Sequence, residues 1–137
     1  MAYWLVKTEP GSWSWDDQVK KDVEGWDGVR NHQAAKNLRT MKIGDKAFFY
    51  HSVNEKRIVG IVEVVREFYP DPTDATGKFV QVDFKTVKPF KTPVTLADIE
   101  ADPRFAELSL LKQSRLSVMP IDDASWAAIC EMGGVTP

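Results

Sequence analysis

The segment Trp26-Asp27-Gly28-Val29-Arg30-Asn31-His32-Gln33-Ala34 places a flat indole, a tight turn and a polar cluster where a helix begins. Gly28 can relax the turn, Asn31 is a favoured N-cap, and the spacing of Ala34, Ala35, Leu38 and Met41 marks one apolar helical face. A helix start presents unsatisfied backbone N–H groups to an anion, and an indole offers its face to a ring, so the combination points to nucleotide recognition. Stacking on a base contributes about 1–3 kcal/mol. Against it stands burial, the usual fate of a tryptophan. Asn31 carries a donor and an acceptor that can read a base edge, although the N-cap role alone accounts for it. Arg30 can hold phosphate or a carbonyl, or form a surface ion pair of little energetic weight. His32, Lys36 and Arg39 fall at i, i+4 and i+7, a phosphate-contacting stripe or the solvated face of an amphipathic helix.

Other polar groups gather at strand ends. Tyr50-His51-Ser52 brings hydroxyl and imidazole groups to the end of an apolar run, while Lys7-Thr8-Glu9 and Arg115-Leu116-Ser117 read as ordinary strand-edge charges or ion pairs. Tyr69 is either a second aromatic wall or loop packing. Trp13 and Trp15 occupy alternate positions near a helix start, so one can face inward while the other meets a partner. A hydrolase reading of His51 and Ser52 lacks support, because the two are sequence neighbours and no Gly-x-Ser-x-Gly elbow occurs. His-Glu-x-x-His, a phosphate loop and a paired-carboxylate site are also missing. Two further classes stay open: an enzyme on a modified nucleotide using His51 or His32 as acid or base, and a protein-interaction module using exposed tryptophans.

These groups need elements to position them. Tyr3 to Glu9 predicts a strand ending at Pro10-Gly11, and Ser14 with Asp17 predicts a capping box opening a helix to about Lys21. A helix from Asn31 to Met41, a turn at Lys42 to Asp45 and a strand over Lys46 to His51 follow. Arg57 to Phe68 holds a nearly continuous apolar run that suits a strand buried on both faces, with Gly60 permitting a bulge or a close approach. Tyr69 to Gly77 is dense in turn formers and predicts an exposed, structured loop. Val80, Val82 and Phe84 alternate with Gln81, Asp83 and Lys85, the pattern of a strand with one wet face. Thr95 and Asp98 cap a short helix, Leu116 to Ile121 predicts a last strand, and Asp122 or Asp123 caps a final helix that Gly133 ends.

Composition bounds the rest. The 137 residues suit one domain over residues 1–137 with its own core, needing neither metal nor disulfide. The lone Cys130 fits a reducing compartment, and no Cys/His grouping has zinc spacing, so neither a structural metal nor a cofactor is expected. No secretory signal or bilayer-length apolar run is present, which predicts a soluble intracellular protein, cytoplasmic or, in a eukaryote, nuclear, and a monomer. The net charge of -2 conceals an asymmetry: between Val29 and Arg57 seven basic residues face two acidic ones, leaving that segment at +5 and the remainder at -7. One face can attract phosphate.

Several motifs also carry a family resemblance. Tyr3-Trp4-Leu5-Val6-Lys7-Thr8-Glu9-Pro10, Trp26-Asp27-Gly28-Val29-Arg30-Asn31, Met41-Lys42-Ile43-Gly44-Asp45 and Phe49-Tyr50-His51-Ser52 occur in order, followed by Gly60-Ile61-Val62, Tyr69-Pro70-Asp71 and Arg115-Leu116-Ser117-Val118. The ordered set closely resembles the EVE domain of the PUA-like superfamily. The resemblance implies an α+β fold, a small mixed β-barrel with flanking short helices, and noncatalytic binding of a modified nucleobase, as in the related YTH readers of methylated adenine. A modified cytosine of the 5-methylcytosine type in DNA is the first expectation and a modified base in RNA the alternative. It further implies that Lys7, Glu9, Trp26, Arg30, Asn31, Tyr50, His51, Ser52, Arg115 and Ser117 surround one base pocket; Tyr69 is then a candidate second wall, and the His32, Lys36 and Arg39 stripe, which adjoins the pocket, a candidate phosphate contact. In a duplex the base must leave the stack, at a cost of a few kcal/mol.

Overall fold

Helix starts follow the chemistry of their caps. In a computed structural model describing residues 1–137, α1 (Trp15–Lys21) opens on a full Ser14/Asp17 capping box, and α2 (His32–Thr40) opens on Asn31, whose side-chain oxygen accepts from the Ala34 N–H. α3 (Leu96–Glu100) has the Thr95/Asp98 box, the short α4 (Ser109–Lys112) has no side-chain cap, and α5 (Asp123–Met132) is capped by Asp122. A single 3-10 turn occupies Pro103–Phe105. None of these helices is long and apolar enough to cross a membrane.

The strands are β1 (Tyr3–Thr8), β2 (Val23–Gly25), β3 (Lys46–His51), β4 (Arg57–Pro70), β5 (Val80–Thr95) and β6 (Val118–Ile121). They form one mixed sheet in the order β2-β5-β4-β3-β1-β6. β1 runs parallel to β3 with Lys7 beside Tyr50 and Thr8 beside His51, whereas the other pairs are antiparallel. The outermost strands, β2 and β6, do not pair with each other. α2 spans that gap: it packs on β5 and β6, and the Asn37 amide donates to the Val118 carbonyl at 2.7 Å. The expected α+β class and small barrel with flanking helices are therefore found, with a helix completing the wall that the strands leave open.

Thirty-five buried apolar residues form one cluster inside this wall. α2 contributes Ala34, Ala35 and Leu38, the face that its spacing predicts. Ile58 to Val62 of β4 is buried throughout, as the continuous run predicts. At Gly60 an added Cβ would lie 2.4 Å from the Trp15 ring, so only glycine lets α1 sit this close to the sheet. Trp15 also meets Phe49 edge to face, with centroids 5.2 Å apart, and is the inward member of the Trp13/Trp15 pair.

Three expectations need correction. The strand expected over Val80 to Lys85 continues to Thr95, and Gln81, expected on a wet face, is buried beneath Gly25. Tyr69 and Pro70 belong to β4 rather than to the following loop, and within that loop Asp71 is buried rather than exposed. The last strand begins at Val118, two residues later than Leu116.

Candidate nucleic-acid interface

Trp26 stands at the junction of core and surface. Its N–H donates to the Val82 carbonyl at 2.8 Å, extending the β2–β5 pairing by one residue. The ring packs edge to face on both Phe49 and Phe84, with centroids 5.5 Å away in each case, and is only 7% exposed. Trp26 nevertheless borders a cavity of about 440 Å³, within the range of small-molecule sites. Burial and pocket lining, opposed in the sequence, coexist at this residue.

Trp13 lies on the same cavity. Its indole N–H donates to the Gln18 side-chain oxygen at 2.9 Å, and the Gln18 amide donates in turn to the carbonyls of Asp22 and Phe84 at 3.0 and 3.2 Å. Gln18 is wholly buried, so a fully satisfied amide orients the half-exposed indole. Sequence reading singles out neither Gln18 nor its role. The available signal is its place one helical turn after the buried Trp15, where an amphipathic helix normally presents an apolar residue.

Asp71 shapes the opposite wall. Its Oδ2 accepts from the Gly28 N–H at 2.8 Å and from Arg30 Nη1 at 3.0 Å, while Oδ1 accepts from the Thr73 N–H and hydroxyl at 2.7 and 2.6 Å. Burial by itself would raise the pKa of this carboxyl; the Thr73 hydroxyl, the Gly28 and Thr73 N–H groups and Arg30 together hold it below the ordinary value. Asp74 repeats the same local turn with Thr76, and accepts from the Phe79 N–H to close the loop. The pinned segment carries Gly28 at φ 79°, where glycine has no steric penalty. Beyond it Val29 and Arg30 both border the cavity, and their N–H groups meet no protein acceptor. Arg30 is anchored as well: Nη2 donates to the Thr73 hydroxyl at 2.9 Å, and the guanidinium lies 5.3 Å from the Phe79 ring centre.

The residues named from sequence do not all meet here. Lys7, Trp26, Arg30 and Ser117 border the Trp26 cavity. Glu9, Tyr50, Ser52 and Arg115 border a second cavity of about 640 Å³, which Lys7 and Ser117 also reach. Asn31 lies on a third, shallower depression beside Gln33 and Arg115, with its oxygen engaged in capping α2. Tyr69 borders none of the three: its hydroxyl donates to Asp83, and Arg66 covers its ring at 3.5 Å.

His51 is likewise internal. Its Nε2 accepts from the Trp15 N–H at 3.0 Å and its Nδ1 faces Glu55 at 2.9 Å, so the network assigns the neutral ring a proton on Nδ1. Nε2 fastens α1 to β3 and Nδ1 ties β3 to the turn that follows it at Glu55, so both nitrogens are engaged by protein groups. His32 stacks on Phe79 with centroids 5.3 Å apart, next to the Arg30 guanidinium. Lys36 and Arg39 are exposed on α2, and Arg39 donates to the Lys78 carbonyl across the Asp71 loop. Of the two carboxylates in the basic segment, Asp45 is buried and accepts from Trp4, Ala2 and Lys42, while Glu55 meets His51 and Arg57.

The sequence profile of the EVE domain matches residues 2–132. Thymocyte nuclear protein 1 of Gallus gallus is 39% identical over 130 residues, covering 85% of this chain but only 54% of the chicken protein, so the chain spans about half of that relative. An NMR structure of a Rhodopseudomonas palustris protein superimposes with a TM-score of 0.92 at 58% identity, covering 98% of this chain and 94% of that one. The human thymocyte nuclear protein in complex with 5-methylcytosine-containing DNA superimposes with a TM-score of 0.90 at 29% identity over the full length of both chains. The Mmi1 YTH domain shares the fold, with a TM-score of 0.59 at 12% identity, covering 96% of this chain and 86% of that one. By its motifs, its fold and the extent of this match, the chain belongs to the EVE domain family.

Proposed function

We propose that the chain is a noncatalytic reader of a modified base, a 5-methylcytosine-type cytosine in DNA, which it takes out of the strand into the Trp26 cavity. The observation that carries this reading is the meeting, around one cavity, of two indoles with two residues, Val29 and Arg30, whose backbone N–H groups have no protein acceptor. Stacking supplies affinity without discrimination, and directed donors supply discrimination without much affinity. The human relative with 5-methylcytosine-containing DNA supports the same class of ligand.

Energetics set the conditions. Extruding a paired base costs a few kcal/mol, and one indole returns about 1–3 kcal/mol, so both tryptophans are needed for a duplex target. The pinning of the 28–30 turn by Asp71 lets its donors act without reordering when the base arrives. Basic α2 positions the backbone: Lys36 and Arg39 contribute charge rather than sequence preference. Catalysis by His51 is disfavoured, because both ring nitrogens are engaged by protein partners, Nε2 by the Trp15 N–H and Nδ1 by Glu55.

The test is a set of binding titrations with matched modified and unmodified cytosine oligonucleotides, in single-stranded DNA, duplex DNA and RNA, at fixed salt. The expected result is tighter binding to modified DNA, lost in Trp13→Ala. Tighter binding to modified RNA moves the assignment to RNA. Product formation from a modified nucleoside, abolished by His51→Ala, replaces the reader with an enzyme.

A further inference from the structure

The second cavity holds polar groups that the protein itself does not satisfy. It adjoins the Trp26 cavity across a wall built from Lys7, Thr8 and Ser117, which border both. The wall exists because β1 lies parallel to β3, setting Lys7 beside Tyr50, and because the Lys7 N–H donates to the Ser117 carbonyl at 2.9 Å. Lys7 Nζ is held by the Ser114 carbonyl at 2.9 Å and lies 5.7 Å from the Tyr50 ring centre.

On the far side stand Lys56 and Arg115, and neither has a carboxylate within 4.0 Å. Arg30, Arg57 and Arg104, by contrast, are all paired with carboxylates. Glu9 is the single acidic residue of this lining, against Lys7, Lys56 and Arg115. The hydroxyls of Ser52, Ser117 and Tyr50 also border the cavity and donate to no protein acceptor. Burial, assisted by the Glu100 carboxylate, pushes the Tyr50 phenol up to about 12, so it remains a donor at neutral pH. Unpaired cations beside unpaired hydroxyl donors form the complement of a phosphate, whose oxygens are acceptors and whose charge is negative.

We infer that the second cavity binds the phosphodiester that flanks the base held in the Trp26 cavity, on the same strand, with Lys56 and Arg115 as its cations and Tyr50 as a hydroxyl donor. The inference rests on the base-reading assignment for its place in the strand and on the cavity's own chemistry for the anion. A base drawn into the first cavity brings its own backbone to the Lys7 wall. The neighbouring phosphate then meets the unpaired cations beyond it.

The test uses the full chain with 5-methyl-2′-deoxycytidine, its 5′- and 3′-monophosphates, a short modified single strand and inorganic phosphate as probes. Lys56→Gln combined with Arg115→Gln should weaken the strand about ten-fold and reduce the salt slope by about 0.7, the value for one phosphate on a single strand, while nucleoside binding is unchanged. Tyr50→Phe should weaken strand and monophosphate a few-fold and leave the nucleoside alone. Inorganic phosphate should shift the NMR amides of Ser52 and Ser117 in the parent and not in the double variant. Equal losses for nucleoside and strand, an unchanged salt slope, or no phosphate-induced shifts would overturn the inference. Phosphate shifts without any preference for modified strands would support the anion site while removing the base assignment of the first cavity.

Discussion

The Trp26 cavity and the basin beyond Lys7 lie side by side along β1 and both mix core with charged side chains, yet the first is bordered by a core indole and a carboxylate-paired arginine and the second by two cations without a carboxylate partner. In the first, Trp26 borders the opening while packing on Phe49 and Phe84, and a buried carboxylate fixes the turn opposite. In the second, Lys56 and Arg115 project from exposed positions and pair with nothing. The difference teaches where function and stability can be separated. A change at Trp26 disturbs packing that the fold needs, whereas a change at Lys56 or Arg115 alters charge at exposed sites whose substitution costs little stability.

The strongest challenge to this contrast is Trp26→Ala. It removes a wall of the cavity together with a core side chain, so the expected loss is about 3–5 kcal/mol of stability as well as base binding. Denaturant unfolding beside a binding titration measures both. A variant that binds poorly but unfolds at the parental midpoint would show that Trp26 belongs to the site alone and would break the comparison.

Asp71→Ala is next. Hydrogen bonds to a charged acceptor contribute about 1.5–3 kcal/mol, and this carboxylate organises Gly28, Arg30 and Thr73 at once. The expected loss is about 2–3 kcal/mol, with weaker base binding from a loosened turn. The pH dependence has a definite sign. Because the folded-state pKa is depressed, the contribution is fully present above the unfolded value near about 4 and disappears as pH falls through the folded value. The Gly28 amide resonance should hold its position through mildly acidic solution and move only in stronger acid; a shift centred above the unfolded value would contradict the assigned contacts.

Trp13→Ala should lower modified-base affinity by roughly ten-fold or more, the equivalent of about 1–3 kcal/mol, with a stability change below about 1 kcal/mol. Thermal unfolding and titration together check it. This residue sharpens the comparison, since it offers a wall of the first cavity at a half-exposed position.

The smallest effect concerns Asn31. Its alanine variant should lose about 1 kcal/mol of stability through the missing cap, whereas Asn31→Asp should change stability little, because aspartate caps as well. Neither should alter the order of preference among bases in parallel titrations. A changed order in Asn31→Asp would return this side chain to the base site.

Local rules made much of the fold legible. Ser14, Asn31, Thr95 and Asp122 reach an N–H within three residues of themselves, so the beginnings of α1, α2, α3 and α5 are written in consecutive sequence. β1, β3 and the first half of β4 are apolar runs whose burial follows from composition, whereas Arg66 to Phe68, expected in the same buried strand, is exposed. β5 was not legible beyond Lys85, because Pro89 and Pro93 argue against a strand. They are tolerated because β2 covers only Asp83 to Lys85, leaving the outer edge of β5 without a neighbouring strand farther along. β2, at three residues, is too short to carry a period.

By itself, then, the sequence determined which residues can do chemistry: an indole before a tight turn, a capped basic helix, and hydroxyls and cations at strand ends. Tertiary structure decided which of them meet. Trp26, Arg30 and Asn31 are near neighbours in the chain, but the turn at Gly28 and the Asp71 contacts hold the first two on one cavity while Asn31 caps α2 outside it. Lys7 and Tyr50 are remote in the chain and adjacent in space, because parallel pairing of β1 with β3 requires a crossover whose register no local pattern encodes. Composition and spacing act over a few residues, whereas the division of polar groups between two cavities depends on strand register and on one buried carboxylate from a distant loop.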